Sequence, residues 1–451
     1  MKKRITEETV LFISVVKWVA LAAIIGVIVG FSTSLFLKLL NSSLAFSHRY
    51  PYYFLALPAA FLFSAVLIRR LAPEAEGHGT EKVIEAVHRR SGKIDALVVP
   101  VKLAATIATL AAGGSVGKEG PCAQIGAGLA SIFADLFSFS DEDRRKLVIC
   151  GISAGFASVF GTPIAGAIFG VEVLSIGSIL YEVLLPSFIA GITSYHATAA
   201  MGITYFHHTV RFVPVFSEIF FLKVVVAGIF FGLCSAFLIE TLRLGGKLSK
   251  RIPTGPAWRA VIGGSALAVL ALLVSTRYLG LGLDTIEAAL QGDKISWYAF
   301  PMKAVFTSIS LSFGGSGGIV TPIFFVGATS GALFGRLFSL DVATFAAIGL
   351  VSLLAGAANT PIAASIMAME LFGPDIAAYA AISCVISFLM TGHRSVYPSQ
   401  VLTMSKSASI EVGSGNEMSG VSVEVRPRKS SVTAYVVDLV ARLSDLLSGK
   451  R

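Results

Sequence analysis

Gly113-Gly114-Ser115-Val116-Gly117-Lys118-Glu119-Gly120-Pro121 decides how this chain is read, because Gly314-Gly315-Ser316-Gly317-Gly318-Ile319-Val320-Thr321-Pro322 repeats its frame in the second half. Moving outward, Gly126 and Phe133 stand at the same offset as Gly327 and Phe334. Upstream, Gly77-His78-Gly79 is followed by Ile84-Glu85-Ala86, and Gly280-Leu281-Gly282 by Ile286-Glu287-Ala288. Downstream, Thr162-Pro163-Ile164-Ala165 with Glu172 returns as Thr360-Pro361-Ile362-Ala363 with Glu370. One such match could arise by chance in a chain rich in Gly and Ala. Several in the same order mark a duplication. The chain therefore divides into a segment 1–9, a first repeat 10–202, a second repeat 215–405 and a tail 406–451.

Composition says where the duplication sits. Of 451 residues, 55% are hydrophobic and 14% charged, against roughly a quarter charged in soluble domains. Val10 to Leu40 carries charge at Lys17 and Lys38 alone, longer than the ~20 apolar residues that cross a bilayer core. Further apolar runs cover Tyr52 to Ile68, Ile219 to Ile239 and Val261 to Val274. The first run is too long for a cleaved secretory signal and is followed by other spans. Other apolar segments are short and broken by glycine. Backbone that is not fully helical survives at membrane depth only inside protein or around an aqueous cavity. The expected fold is an all-α polytopic membrane protein of two repeat halves with short and broken helices. In such architectures the substrate site lies where the halves meet. Gly126, Gly128 and Gly331 are expected to serve close helix packing. The net charge of +9 fits basic cytoplasmic loops and tails rather than nucleic-acid binding. Cys122, Cys150, Cys234 and Cys384 stand alone, without a CxxC pair, and read as small buried hydrophobes.

Gly117-Lys118-Glu119-Gly120-Pro121 and Gly318-Ile319-Val320-Thr321-Pro322 each precede an apolar stretch. Gly and Pro at a helix start leave first-turn N–H groups free. Two such ends pointing inward would form an anion site from partial charges, without a full cation to trap the ion. A nucleotide-binding loop is excluded, because Ala112 and Glu119 occupy places where that motif needs Gly and Ser or Thr. Glu119 is a carboxylate in an apolar region and thus a functional candidate. Beside an anion site it would compete for the donors and act as a gate and proton carrier; the alternative is a helix cap paired with Lys118. Glu172 and Glu370, at matching positions, read as structural. His48, His78, His88, His196, His207, His208 and His393 show no metal-ligand spacing with acids, so no metal, cofactor or catalytic residue is assigned and an enzyme is not expected.

In this order the motifs resemble the CLC chloride channel and chloride–proton antiporter family, over about residues 10 to 405. Gly117-Lys118-Glu119-Gly120-Pro121 is similar to its gating-glutamate motif and Gly318-Ile319-Val320-Thr321-Pro322 to its second filter motif. Val396-Tyr397-Pro398, after Gly392-His393-Arg394, is similar to the region of its pore-lining tyrosine. The resemblance implies inverted repeats and a homodimer with one pore per subunit. It implies that the Ile319 and Val320 amides and the Tyr397 hydroxyl bind chloride, with Glu119 gating the outer end. Two departures stand out. The family's first filter motif usually reads Gly-Ser-Gly-Ile-Pro, where this chain has Gly77-His78-Gly79-Thr80-Glu81. His78 is thus either an anion ligand or an ordinary solvated histidine at the pore mouth. Many proton-coupled members also carry an inner glutamate just after the place of Glu172, where this chain has Val173.

Beyond Ser405 the composition turns to Ser, Gly, Val and charge, with basic Arg426-Pro427-Arg428-Lys429 and Gly449-Lys450-Arg451. That suits a cytoplasmic tail, with one short amphipathic helix over Val432 to Leu447 and no room for the paired cystathionine-β-synthase-like domains common in the family. The resulting expectation is a chloride/proton antiporter in a prokaryotic cell membrane with cytoplasmic termini. A passive chloride channel and a fluoride-exporting relative are the alternatives.

Overall fold

The computed structural model describes residues 2–205, 217–413, 415–427, 434–436 and 438. His207 and His208 lie outside them, as does most of the expected tail helix. The first half contains α1 (Lys2–Ser47), α2 (Leu57–Leu71), α3 (Thr80–Arg89), α4 (Val98–Ala111), α5 (Glu119–Leu136), α6 (Asp141–Phe160), α7 (Pro163–Glu172) and α8 (Leu184–Ala200). The second contains α9 (Glu218–Arg251), α10 (Pro256–Leu273), α11 (Leu283–Leu290), α12 (Ala299–Ser312), α13 (Val320–Leu337), α14 (Val342–Ala358), α15 (Pro361–Phe372) and α16 (Ala377–Met390). Each helix of one half has a counterpart in the other.

Local sequence sets the boundaries in duplicate. Ser140 and Asp341 cap α6 and α14, accepting from the Asp143 and Thr344 amides at 3.1 and 2.7 Å. Gly161 and Asn359 end the same helices in the left-handed conformation. Pro163 and Pro361 then open α7 and α15, where a missing N–H leaves no bond unmade.

Among the described residues, five helical segments are long and apolar enough to cross a membrane: Thr6–Ser47, Tyr53–Leu71, Glu218–Arg251, Pro256–Leu273 and Val320–Leu337. Val98–Ala111 and Pro163–Glu172 are among the shorter ones. They cannot span a core of ~30 Å alone, at 1.5 Å per residue. Leu11, Phe12 and Ile13 on α1 and Leu222 and Leu233 on α9 face outward, as lipid-facing residues do. By contrast α13 and α14 are buried nearly all round, the pattern of helices inside a larger membrane body. Gly126 and Gly331 serve the expected close packing. A Cβ there would meet the carbonyl oxygens of Gly151 and Phe345 at 2.4 and 2.1 Å.

Contacts between the halves are reciprocal. Gly117 donates to the Gly318 carbonyl and Gly318 to the Gly117 carbonyl, both at 2.6 Å. Ser115 N–H donates to the Ser310 hydroxyl and Ser316 N–H to the Thr109 hydroxyl, at 2.9 and 3.0 Å. Such exchange arises when a two-fold rotation relates the halves. It brings the starts of α5 and α13 together head to head, so the halves are inverted repeats.

Glu172 and Glu370 complete this symmetry. Glu172 accepts from the Ile362 and Ala363 amides at the start of α15, at 3.0 and 2.8 Å. Glu370 accepts from the Ile164 and Ala165 amides at the start of α7, at 2.9 and 2.8 Å. Each half thus caps a helix of the other, which is the structural role expected of both acids. Glu370→Ala strands two amides, each costing about 1–3 kcal/mol when buried. The expected result is a lower unfolding temperature in detergent; an unchanged one removes the cap from the stability account.

β1 (Ser175–Ile176) of the first repeat pairs in parallel with β2 (Val401–Leu402) at the end of the second. β3 (Ile410–Val412) and β4 (Val423–Val425) form an antiparallel hairpin. Arg89 at the end of α3 makes a two-pronged ion pair with Glu417, both bonds at 2.7 Å. The described part of the tail up to residue 427 is therefore folded onto the membrane body, where the sequence suggested no more than one helix.

Candidate anion site

The site is assembled from three backbone turns and one distant loop. The paired Gly117 and Gly318 set the helix starts, so the first amides of α5 and α13 face the same region. Ile319 and Val320 are 1% and 0% exposed. Among the described residues their N–H groups donate to no protein acceptor. Pro121 and Pro322 sit in the first turns and withdraw no donor the helices use internally. The turn Gly77-His78-Gly79 packs against the start of α5. A Cβ on Gly120 would lie 2.0 Å from the His78 carbonyl oxygen, and one on Gly79 would lie 2.5 Å from the Gly120 carbonyl oxygen. Glycine is required at both places because backbone meets backbone.

Glu119, 1% exposed, lies across this junction. Its carboxylate accepts from the Thr321 amide at 3.1 Å and from the Thr321 hydroxyl in a short bond. The acid thus occupies first-turn donors of the opposite half's helix, where an anion would sit. The alternative pairing with Lys118 is not the arrangement seen. Lys118 instead lines a cavity of about 330 Å³ above Glu119, together with Asn41, Tyr205, Glu287 and Thr321.

His78 and Tyr397 stand beside this junction and do not line that cavity. Tyr397 is fully buried, its N–H donating to the Ser395 hydroxyl at 2.9 Å. The rings of His78 and Tyr397 stand 5.9 Å apart, tilted by 58°. His78 Nδ1 is buried without a hydrogen-bond partner among the described residues, and the buried Tyr397 hydroxyl has the Thr80 side chain as its neighbour without forming a well-aligned bond. Buried polar atoms left unpaired are rare and ask for a ligand, ion or water. The structure therefore brings Glu119, His78, Gly79, Gly120, Gly318, Ile319, Val320 and Tyr397 to one place.

Several residues here were not singled out from sequence. Thr321 was quoted only as part of a motif, yet it is what holds Glu119. Lys102 is fully buried and donates to the Ala75 and Gly77 carbonyls at 3.0 and 2.6 Å, bracing the first filter turn. Lys303, its repeat counterpart, does the same to Tyr278 and Gly280 at 3.2 and 2.7 Å. A lone lysine recurring at matching places in apolar helices was the available signal. Glu81, at the proline place of the usual first motif, was also passed over; Val173 is fully buried, so the inner acid is indeed absent there.

Helix starts converging from inverted halves, unpaired buried donors and a carboxylate seated across them define a membrane protein for anion passage. The chain belongs to the voltage gated chloride channel family, whose model matches residues 59–392. It is 37% identical over 412 residues to a chloride/fluoride channel protein of Pseudomonas syringae pv. tomato, covering 90% of this chain and 91% of that one. A crystal structure of a CLC-type fluoride/proton antiporter superposes with TM-score 0.82 at 30% identity, over 86% of this chain and 98% of that one. A slow cyanobacterial chloride/proton antiporter superposes with TM-score 0.73 at 19% identity, covering 83% and 94% of the two chains. Family members are channels and transporters rather than enzymes.

Proposed function

We propose that the protein exchanges a small halide for protons, with Glu119 as gate and proton carrier, and that fluoride is its preferred halide. The observation that carries the exchange reading is the carboxylate of Glu119 held by Thr321 at the start of α13. When ionised, it competes with the anion for these donors; once protonated, it releases them and carries the proton. Ile319, Val320, Tyr397 and His78 are the anion-facing donors.

Two things support fluoride. The relatives reported at 30% identity or more carry fluoride in their descriptions. At His78 the family's usual serine hydroxyl is replaced by an imidazole, whose N–H is a directed donor suited to a small, strongly hydrated ion. Chloride is the second reading, favoured by the retained Tyr397. Exposed Leu185, Ile362, Met369, Val385 and Leu389 lie on α8, α15 and α16. Their exposure leaves room on these helices for a second copy, and a homodimer belongs to the same reading through the family resemblance. Cytoplasmic termini and a prokaryotic inner membrane complete the reading.

The test is the voltage of zero net flux in liposomes under opposed halide and pH gradients. A value set jointly by fluoride and pH, with fluoride flux above chloride flux, is expected. A value set by the anion alone overturns proton exchange, and faster chloride than fluoride overturns the preference.

Tyr397→Ala removes one donor, worth about 1.5–3 kcal/mol toward a charged partner. Halide affinity should fall by roughly ten- to hundredfold, with the Ile319 and Val320 amides retaining the rest. Tyr397→Phe loses the same donor and should show most of this fall, Tyr397→Ala adding to it the lost ring packing against His78. Equal affinity of wild type and Tyr397→Ala in calorimetry removes Tyr397 from the site.

A further inference from the structure

If protons are exchanged, a group on the cytoplasmic side of the filter must take them up and return them. The usual place for that acid holds Val173, which is fully buried and cannot titrate. We propose that Glu81 is the inner proton-exchanging carboxylate of this protein, standing on α3 beside the filter instead of after Glu172. The inference rests on the exchange reading above and names a residue for one of its steps.

Glu81 lies in the first turn of α3, three residues after His78. One oxygen, Oε1, accepts from the Ser399 amide at 3.1 Å and from the Ser399 hydroxyl at 2.7 Å. Ser399 is two residues after Tyr397, so the acid is tied to the loop that supplies the pore tyrosine. The other oxygen, Oε2, is buried with no hydrogen-bond partner among the described residues. A first-turn acid serving its own helix would accept from that helix's N–H groups, and Glu81 does not. Tyr397 lies within electrostatic reach of both Glu119 and Glu81.

The groups facing Glu81 are few. On α3 they are Lys82 and Glu85, which pair with each other at 2.9 Å; His78 precedes it, and Ser399 and Tyr397 come from the second half. Lys82 is hydrogen-bonded to Glu85 and acts on Glu81 only through space. Glu85 lies one turn further along the same face, with its side chain 27% exposed, and leads toward the Arg89–Glu417 pair at the surface. This gives a short stepwise route between Glu81 and water.

The step itself is a proton transfer. A hydronium ion at the cytoplasmic end gives its proton to Oε2, leaving water and forming a neutral carboxylic acid. That acid later yields the proton toward Glu119, returning to carboxylate, while the Ser399 bonds to Oε1 persist throughout. No oxidant, reductant or covalent intermediate is involved.

Glu81→Gln in the full chain is the test, because glutamine keeps an acceptor for Ser399 but cannot shuttle protons. Liposomes with a fluoride gradient and an opposing pH gradient should show uphill proton movement with wild type. With Glu81→Gln, proton movement should fall to that of protein-free liposomes while fluoride efflux continues. The zero-flux voltage should move to the value set by fluoride alone. Glu81→Asp, which keeps the acid but draws it back from Ser399, should retain coupling. Full coupling in Glu81→Gln overturns this role and leaves the exchange reading standing. Parallel loss of fluoride and proton movement in Glu81→Gln shows a tether for the Tyr397 loop and overturns it too. Absence of proton movement in wild type overturns the exchange reading and this inference together.

Discussion

With Glu119 replaced by glutamine, halide efflux from liposomes should continue across the pH range while uphill proton movement disappears. Glutamine fills the same space and still offers an oxygen to the Thr321 amide and hydroxyl that hold the native acid. It carries no charge to rival the halide, and no proton to deliver. Hydrogen bonds to a charged acceptor are worth about 1.5–3 kcal/mol and to a neutral one about 0.5–1.5. The closed gate therefore loses roughly 1–2 kcal/mol, near tenfold in the open fraction. Efflux should be faster than wild type at neutral pH and nearly level as pH falls, whereas wild-type efflux should rise as Glu119 becomes protonated. Efflux followed with a halide electrode over a pH series distinguishes these. Retained pH dependence in Glu119→Gln would show that another group is the gate.

Gly120→Ala should abolish halide flux with far more effect than its one added methyl suggests. The Cβ would lie 2.0 Å from the His78 carbonyl oxygen, a backbone atom with no rotamer to adopt. Ordinary overpacking by a methyl costs about 1–3 kcal/mol because side chains give way, and here the filter turn itself must shift. Gly77→Ala is the control. That position has φ +80° but nothing within 4 Å of an added Cβ, so the expected penalty is strain alone, about 1–2 kcal/mol. Stability by thermal unfolding and flux in liposomes should both separate the two variants. Wild-type flux in Gly120→Ala would mean that the first filter turn does not shape the pathway.

The duplication was legible because physics forces repeats to keep their punctuation. Gly117 and Gly318 pair backbone to backbone, Pro163 and Pro361 open equivalent helices, and Glu172 and Glu370 cap them, so they recur as identical letters. The helix starts that frame the site could be placed for the same reason. Inversion could not be read, because short, Gly-broken segments give no dependable count of crossings. It is visible in space as reciprocal bonds between residues far apart in the chain, such as Ser115 with Ser310 and Ser316 with Thr109. Thr321 and Glu81 escaped for another reason. Their partners, Glu119 and Ser399, are separated from them by 202 and 318 residues, and nothing local to either marks the contact. The tail hairpin was missed because its strands are too short to show an alternating pattern.

The exchanged caps on α7 and α15 bear on how the protein is made. The Ile164 and Ala165 amides are satisfied by Glu370, 206 and 205 residues later in the chain. A ribosome therefore delivers the whole first half before the group that closes one of its helices exists. Until then those amides must be met by water or lipid headgroups, which keeps the start of α7 near an aqueous surface. Final closure is a joint event: the second half brings Glu370 to α7 and receives Glu172 on α15 in the same movement. Coexpressing the halves as two polypeptides could restore the protein, whereas either alone would expose a helix start that the cell's quality control can recognise.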